Sequence, residues 1–120
     1  MESQPSQPEQ LRERTKKFAL RIVKLFRALP RAPVAQVMGS QLLRSGTSVA
    51  ANYRAVCRAR SKAEFVAKIG VVVEEADETV FWLEMLVESG MVRAARMDSL
   101  LKEANEFLAI FAASQRTARG

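Results

Sequence analysis

The residues best suited to chemistry are four carboxylates in one short segment, Glu74, Glu75, Asp77 and Glu78. Clustered carboxylates can bind metal ions or act as general acids and bases. A di-iron helical bundle also needs Glu-x-x-His pairs, and this chain contains no histidine and one cysteine. No disulfide can therefore form within the chain, and no His/Cys metal cluster is possible. We interpret the four acids as counter-charges and predict no enzymatic activity, no metal and no cofactor.

The matching cations are expected in the preceding segment, which is the least ordinary part of the sequence. Residues 34–60 contain four arginines and no acid, whereas residues 61–90 contain seven acids and two lysines. A helix turns by about 100° per residue, so a helix here would be apolar on one side and polar on the other. We call the polar side the polar seam; it consists of Gln41, Arg44, Ser48, Asn52, Arg54 and Arg58.

The polar seam allows two interpretations, a solvated surface or a buried or interfacial one. Gln, Ser and Asn have mediocre helix propensity and bond locally, whereas a solvated face would favour Glu and Lys, so we favour the interface. Its expected counterpart on the next helix is Glu75, Glu78 and Trp82. Arg44 should pair with Glu78, or with Glu75, within one chain or between subunits. Loss of one partner of a desolvated pair costs about 3–5 kcal/mol, so Arg44→Ala is expected to unfold or dissociate the protein.

A third group of residues gives the chain its positive charge. The net charge is +6 and the pI is about 10.1, which suits contacts with nucleic-acid phosphates. Seven cations surround the apolar stripe of the first predicted helix and are expected to stay free: Arg12, Arg14, Lys16, Lys17, Arg21, Lys24 and Arg27. The arginines of the second helix, Arg44, Arg54 and Arg58, are poorer candidates for phosphate contacts, because acids of the third helix can neutralise them. Without base-stacking aromatics on the basic faces, strong sequence preference is not expected.

The elements that must position these residues are helices. Prolines lie in the N-terminal tail and in one connector, outside the long periodic segments, which indicates an all-α fold. Helices are predicted over about 8–29, 34–59, 62–88 and 94–113. Capping boxes at Ser6–Glu9 and Ser61–Glu64 begin two of them, and Gly90 suits the end of the third. Cys57 is expected on the core face of the second helix as a buried, inert thiol.

Length and composition fit one small domain. With 120 residues, 48% of them hydrophobic, the chain can build a single core. We predict an antiparallel up-down-up-down four-helix bundle over residues 9–115, with a disordered tail at 1–8 and a frayed end at 116–120. The N-terminus is polar and no apolar run approaches 18 residues, so we expect a cytoplasmic protein without membrane contact.

The segment QLLRSGTSVAANYRAVCRARSKAEF resembles the signature of a small family of four helix bundle proteins. The shared pattern is Gln-x-x-Arg, then Ser and Asn, then Ser-x-x-Glu-Phe. In this chain it falls on Gln41, Arg44, Ser48, Asn52, Ser61, Glu64 and Phe65. The family includes proteins encoded in intervening sequences of bacterial large-subunit ribosomal RNA genes. It also includes the accessory variability determinant of diversity-generating retroelements.

The resemblance implies an oligomer and two possible uses. The resemblance points to a homopentamer. The retroelement proteins look like basic rings that bind RNA or DNA and a reverse transcriptase. We therefore expect a non-enzymatic homopentamer that binds nucleic acid. The alternative is an oligomeric scaffold for a protein partner such as a reverse transcriptase, without a direct nucleic-acid role.

Overall fold

The computed structural model describes residues 6–120 as four antiparallel helices. They are α1 (Gln7–Ala28), α2 (Pro33–Val56), α3 (Lys62–Glu88) and α4 (Ala94–Arg119). Each helix packs against the next along the chain, and short connectors reverse the direction each time. The predicted all-α, up-down-up-down four-helix bundle is confirmed. None of these helices, over the described residues, is long and apolar enough to cross a membrane.

The helix termini follow the predicted capping chemistry. The Ser6 hydroxyl accepts a hydrogen bond from the Glu9 amide at 3.3 Å, and Ser61 accepts one from the Glu64 amide at 3.1 Å. Gly90 follows α3 with φ of +82°, a left-handed conformation that glycine adopts without a Cβ penalty. Both α1 and α3 therefore begin where the sequence pattern places them.

Four details of the prediction are wrong. α2 ends at Val56, because residues 57–59 tighten into a turn in which the Arg58 and Ala59 amides bond to carbonyls three residues earlier. Cys57 is consequently exposed instead of buried in the core. α4 continues to Arg119, so residues 116–119 are helical and not a frayed end. Of the predicted N-terminal tail, residues 1–5 lie outside the described part, and residues 6–8 form the cap and first turn of α1.

The core lies along the bundle axis and contains a row of aromatic rings. Phe18 of α1 meets Phe107 of α4 edge to face, with ring centroids 5.4 Å apart. Phe111 lies between Phe107, at 5.9 Å, and Tyr53 of α2, at 5.0 Å. Edge-to-face and offset pairs of this kind add to the stability that burial provides. The row joins three of the four helices.

Small residues let α1 and α2 approach closely. A Cβ atom added at Gly46 would lie 3.0 Å from Cγ1 and 3.1 Å from Cγ2 of the fully buried Ile22. Those distances are shorter than ordinary van der Waals contact, so the glycine is needed for the packing. The contact also fixes the register between the two helices, which determines the residues that face each other further along.

Candidate functional site

Arg44 joins α2 to α3 through two carboxylates. Its guanidinium lies 3.2 Å from Glu75 and 2.5 Å from Glu78, and the Trp82 indole N–H donates to Glu78 at 3.5 Å. The hydrogen bond from Arg44 lowers the pKa of Glu78 against the opposing effect of desolvation, and the bond from Trp82 lowers it further. The predicted pairing of Arg44 with these acids is confirmed within one chain. Among the described residues, no group of three or more acidic or cysteine side chains could hold a metal ion.

The polar seam is partly solvated in the single chain. The Arg44 side chain is 48% exposed, Gln41 is exposed, and Ser48 and Asn52 are half-buried. Asn52 donates its side-chain N–H to the Ser48 carbonyl at 2.9 Å, a bond that stays within α2. The large cost expected for Arg44→Ala assumed a desolvated pair and does not apply to the isolated protomer, because water screens an exposed ion pair.

Arg54 and Arg58 do not face α3, which corrects the prediction that its acids neutralise them. They line a groove of about 530 Å³ between α1 and α2, on the other edge of the polar seam. On the α2 helical wheel Arg54 differs from Ser48 and Asn52 by about 120° and about 160°. Arg58 lies two residues beyond the end of α2. Because that seam is so wide, its two edges meet different neighbouring helices. The sequence pattern did not identify which neighbour lies beside each edge.

Of the seven predicted cations of α1, Arg14 and Arg21 are engaged by α4. Arg14 lies 3.0 Å from both Glu103 and Glu106 and stacks over the Phe107 ring, with its guanidinium carbon 4.8 Å from the centroid. Arg21 lies 3.3 Å from Glu103. Partial burial lowers the pKa of Arg14, but hydrogen bonds to the two glutamates outweigh that effect and raise it. The expectation that both arginines stay free is therefore wrong.

The other five predicted cations point to solvent. Lys17 lies 3.7 Å from Glu13 one turn earlier, and both side chains are exposed. The remaining four have no ion pair within residues 6–120 and are exposed: Arg12, Lys16, Lys24 and Arg27. These four retain their charge for an external anion.

Apolar side chains are exposed beside the Arg44 cluster. Val37 of α2 is 63% exposed, Phe81 of α3 is 49% exposed, and Val34 and Met85 are exposed as well. Trp82 is half-buried and packs edge to face on Phe81, with centroids 4.8 Å apart. We call this surface the α2–α3 outer face; it consists of Val34, Val37, Gln41, Arg44, Glu75, Glu78, Phe81, Trp82 and Met85. The sequence pattern identified its polar members and Trp82 but missed the other four apolar ones, although Phe81 and Met85 are four residues apart on α3.

The fold and these surfaces can be compared with known proteins. The sequence model of a family described as 23S rRNA-intervening sequence protein matches residues 9–113. The chain belongs to this family. The comparison with curated proteins found no match.

A solved structure supports the same family assignment. The chain is similar to a protein with unknown function from the S23 ribosomal protein family of Bacteroides thetaiotaomicron VPI-5482. The two share 33% sequence identity and superpose with a TM-score of 0.80, over 87% of this chain and 96% of that chain. The family resemblance inferred from the residues 41–65 pattern is thereby confirmed, together with its four-helix fold.

Proposed function

We propose that this protein is a non-enzymatic homo-oligomer that binds nucleic acid in the cytoplasm through its basic surface. The observation that carries the proposal is the set of exposed cations on α1 that have no acidic partner in residues 6–120. Two other cations of α1, Arg14 and Arg21, are instead paired with acids of α4. The unpaired cations repel one another, and the phosphates of a nucleic acid would relieve that repulsion.

A mobility shift over a salt series tests the binding. Neutralisation of phosphates releases counterions, so log K should fall by about 0.7 to 0.9 per phosphate contact for each log unit of salt. The variant Lys24→Glu with Arg27→Glu should weaken binding to all sequences about equally and flatten this slope. Both side chains are exposed, so the helices should remain folded.

The matched control is Lys102→Glu with Arg116→Glu, which changes the net charge equally on exposed positions of α4. This control should bind more tightly than the α1 variant. Equal weakening by the two variants would show that binding depends on total charge and not on the surface of α1. Undetectable binding of RNA and DNA at low salt would contradict the proposed function. The protein would then be interpreted as a scaffold for a protein partner such as a reverse transcriptase.

The α2–α3 outer face supports the homo-oligomeric part of the proposal. Contiguous exposed apolar side chains, bordered by polar ones, are typical of protein interfaces. A second copy of the chain would cover Val37 and Phe81 and would desolvate the Arg44 cluster beside them. We propose a closed ring, with five copies as the family resemblance implies. In a ring each subunit repeats the same basic surface, so that weak phosphate contacts add through multivalency.

A further inference from the structure

The groove between α1 and α2 has a charged wall on each side. Arg12 and Lys16 of α1 line one wall; Arg54 of α2 and Arg58 of the turn that follows α2 line the other. Because α1 and α2 are antiparallel, the contact of Gly46 with Ile22 places Arg54 about level with residue 14 of α1, between Arg12 and Lys16. The groove is therefore a place where cations from two helices converge, although the two sequence segments lie about 40 residues apart.

None of these four cations forms an ion pair within the described part of the chain. Two acids, Glu9 and Glu13, also line the groove, but the one ion pair they form there is between Glu13 and Lys17. The C-terminal dipole of α2 favours cations at its last turn, which accounts for Arg54 and Arg58. It does not account for cations on α1 opposite them, because that end of α1 is an N-terminus.

We propose that this groove holds the phosphate backbone of single-stranded RNA or DNA, with Arg12, Lys16, Arg54 and Arg58 as the phosphate-binding residues. The inference rests on the proposed function and assigns it a site and a class of nucleic acid. It adds Arg54 and Arg58, which lie on a different helix from the basic surface of α1.

The size of the groove favours one strand over two. A volume of about 530 Å³ is in the range of about 300–1,000 Å³ that accommodates small-molecule ligands. One backbone with its phosphates can enter between the walls and meet cations on both sides. A duplex is wider than one strand and rigid, so fewer of its phosphates would reach the inner walls.

The residues at the floor of the groove favour binding of the nucleic-acid backbone over binding of the bases. Thr47, Ala50 and Ala51 form it, and the Thr47 hydroxyl donates to the Leu43 carbonyl at 2.7 Å. Short side chains let a phosphate approach the helix closely. No aromatic residue is among those lining the groove, so a base has no ring on which to stack. Binding in the groove is therefore independent of base sequence.

The test uses a double variant of the groove that carries both Arg54→Ala and Arg58→Ala. Its control is a double variant that removes two arginines elsewhere, Arg93→Ala with Arg96→Ala. Arg93 and Arg96 are exposed, unpaired within residues 6–120, and lie at the opposite end of the bundle. Fluorescence anisotropy of the full chain with labelled single-stranded oligonucleotides of mixed sequence gives Kd over a salt series. The groove variant should lose at least about tenfold in affinity, since each charge-assisted bond contributes strongly. Its salt slope should fall by about 1.4 for two lost contacts to a single strand.

A second double variant should change the affinity for single strands in the opposite direction. Glu9→Gln with Glu13→Gln removes two negative charges from the groove and should tighten single-strand binding severalfold without changing the fold. A variant that merely unfolds the chain cannot produce tighter binding, so this result would support the groove independently. Circular dichroism of each variant confirms that the helices are intact.

The possible outcomes distinguish a wrong groove assignment from a wrong proposed function. If the unmodified chain binds and the groove variant loses no more affinity than the Arg93→Ala with Arg96→Ala control, the groove assignment is wrong and nucleic-acid binding stands. Tighter binding of duplex than of single strands would also overturn the groove assignment. If the unmodified chain binds neither RNA nor DNA at low salt, the proposed function and the groove fail together.

Discussion

Arg44 shows how one side chain can fix the register of two helices while it remains in contact with water. Its guanidinium reaches Glu75 and Glu78, which are three residues apart and so lie on the same face of α3. This contact was predictable from sequence, because an acid-free helix was followed by an acidic one. The solvation of the contact was not predictable, since exposure depends on how the whole bundle closes.

The lowered pKa of Glu78 makes part of the stability depend on pH. A carboxyl whose folded pKa is lowered stabilises the fold above its ordinary value of 4.5, and this contribution disappears as pH falls through the folded value. In Glu78→Gln that contribution is missing at every pH. We expect the difference in unfolding free energy between wild type and Glu78→Gln to be largest near neutral pH and to shrink in acid.

Urea denaturation at neutral pH, at pH 5 and at pH 3 measures this difference. Glu84→Gln is the control, because Glu84 is exposed on the same helix and has no ion pair within residues 6–120. Its difference from wild type should be nearly independent of pH. A Glu78→Gln difference that stays constant across the series would argue against a stabilising bond to Arg44.

At the scale of elements, helix positions were predictable and helix neighbours were not. The second capping box and Gly90 gave the bounds of α3 correctly, since both signals are local. The extension of α4 to Arg119 has a tertiary cause. Thr117 and Ala118 lie beside Phe65 of α3 around a shallow groove, and the Ser114 hydroxyl donates to the Ile110 carbonyl at 3.0 Å. A polar segment can be helical when a neighbouring helix supports it, and the segment's own pattern does not show that support.

Replacement of two helical glycines by alanine should change the free energy of unfolding in opposite directions. Alanine has the higher helix propensity by about 1 kcal/mol, and overpacking a core costs about 1–3 kcal/mol. At Gly46 the added methyl meets the buried, β-branched Ile22, so Gly46→Ala should destabilise the protein by up to about 2 kcal/mol. At Gly70 the added Cβ meets only the end of the flexible Gln115 side chain. Gly70→Ala should therefore stabilise by up to about 1 kcal/mol.

Urea midpoints at equal m-value measure both changes. A shift of both variants in the same direction would mean that helix propensity alone, or packing alone, determines their stability. If both variants are stabilised, the close packing of α1 on α2 at Gly46 does not constrain the fold.

At the scale of the whole molecule, exposed apolar side chains predict assembly. Val37→Glu would place a charge in the α2–α3 outer face and should dissociate the oligomer while the protomer stays folded, since Val37 is 63% exposed. Leu20→Glu is a matched control, because Leu20 is 60% exposed on α1, away from that face. Sedimentation velocity at micromolar concentration measures the mass of each species.

The expected result is a protomer mass for Val37→Glu and an oligomer for Leu20→Glu and wild type. A single species of 13.4 kDa for the wild type would contradict self-association. The family pattern in residues 41–65 predicted the fold and includes Gln41 and Arg44 of this face, whereas complementary charge predicted Glu75 and Glu78. It did not predict Val34 or Val37, because an apolar residue on a helix is usually assigned to the core until its neighbours are known.

The position of Trp82 has an optical consequence. It is the only tryptophan in the chain, so the intrinsic tryptophan fluorescence of the protein comes from the α2–α3 outer face. Its indole is half-buried in the single chain, in contact with Phe81 and bonded to Glu78. If a second copy covers this face, water leaves the ring and the emission maximum moves to shorter wavelength. Dilution of unlabelled protein then reports dissociation as a shift of the emission maximum to longer wavelength, without any introduced dye.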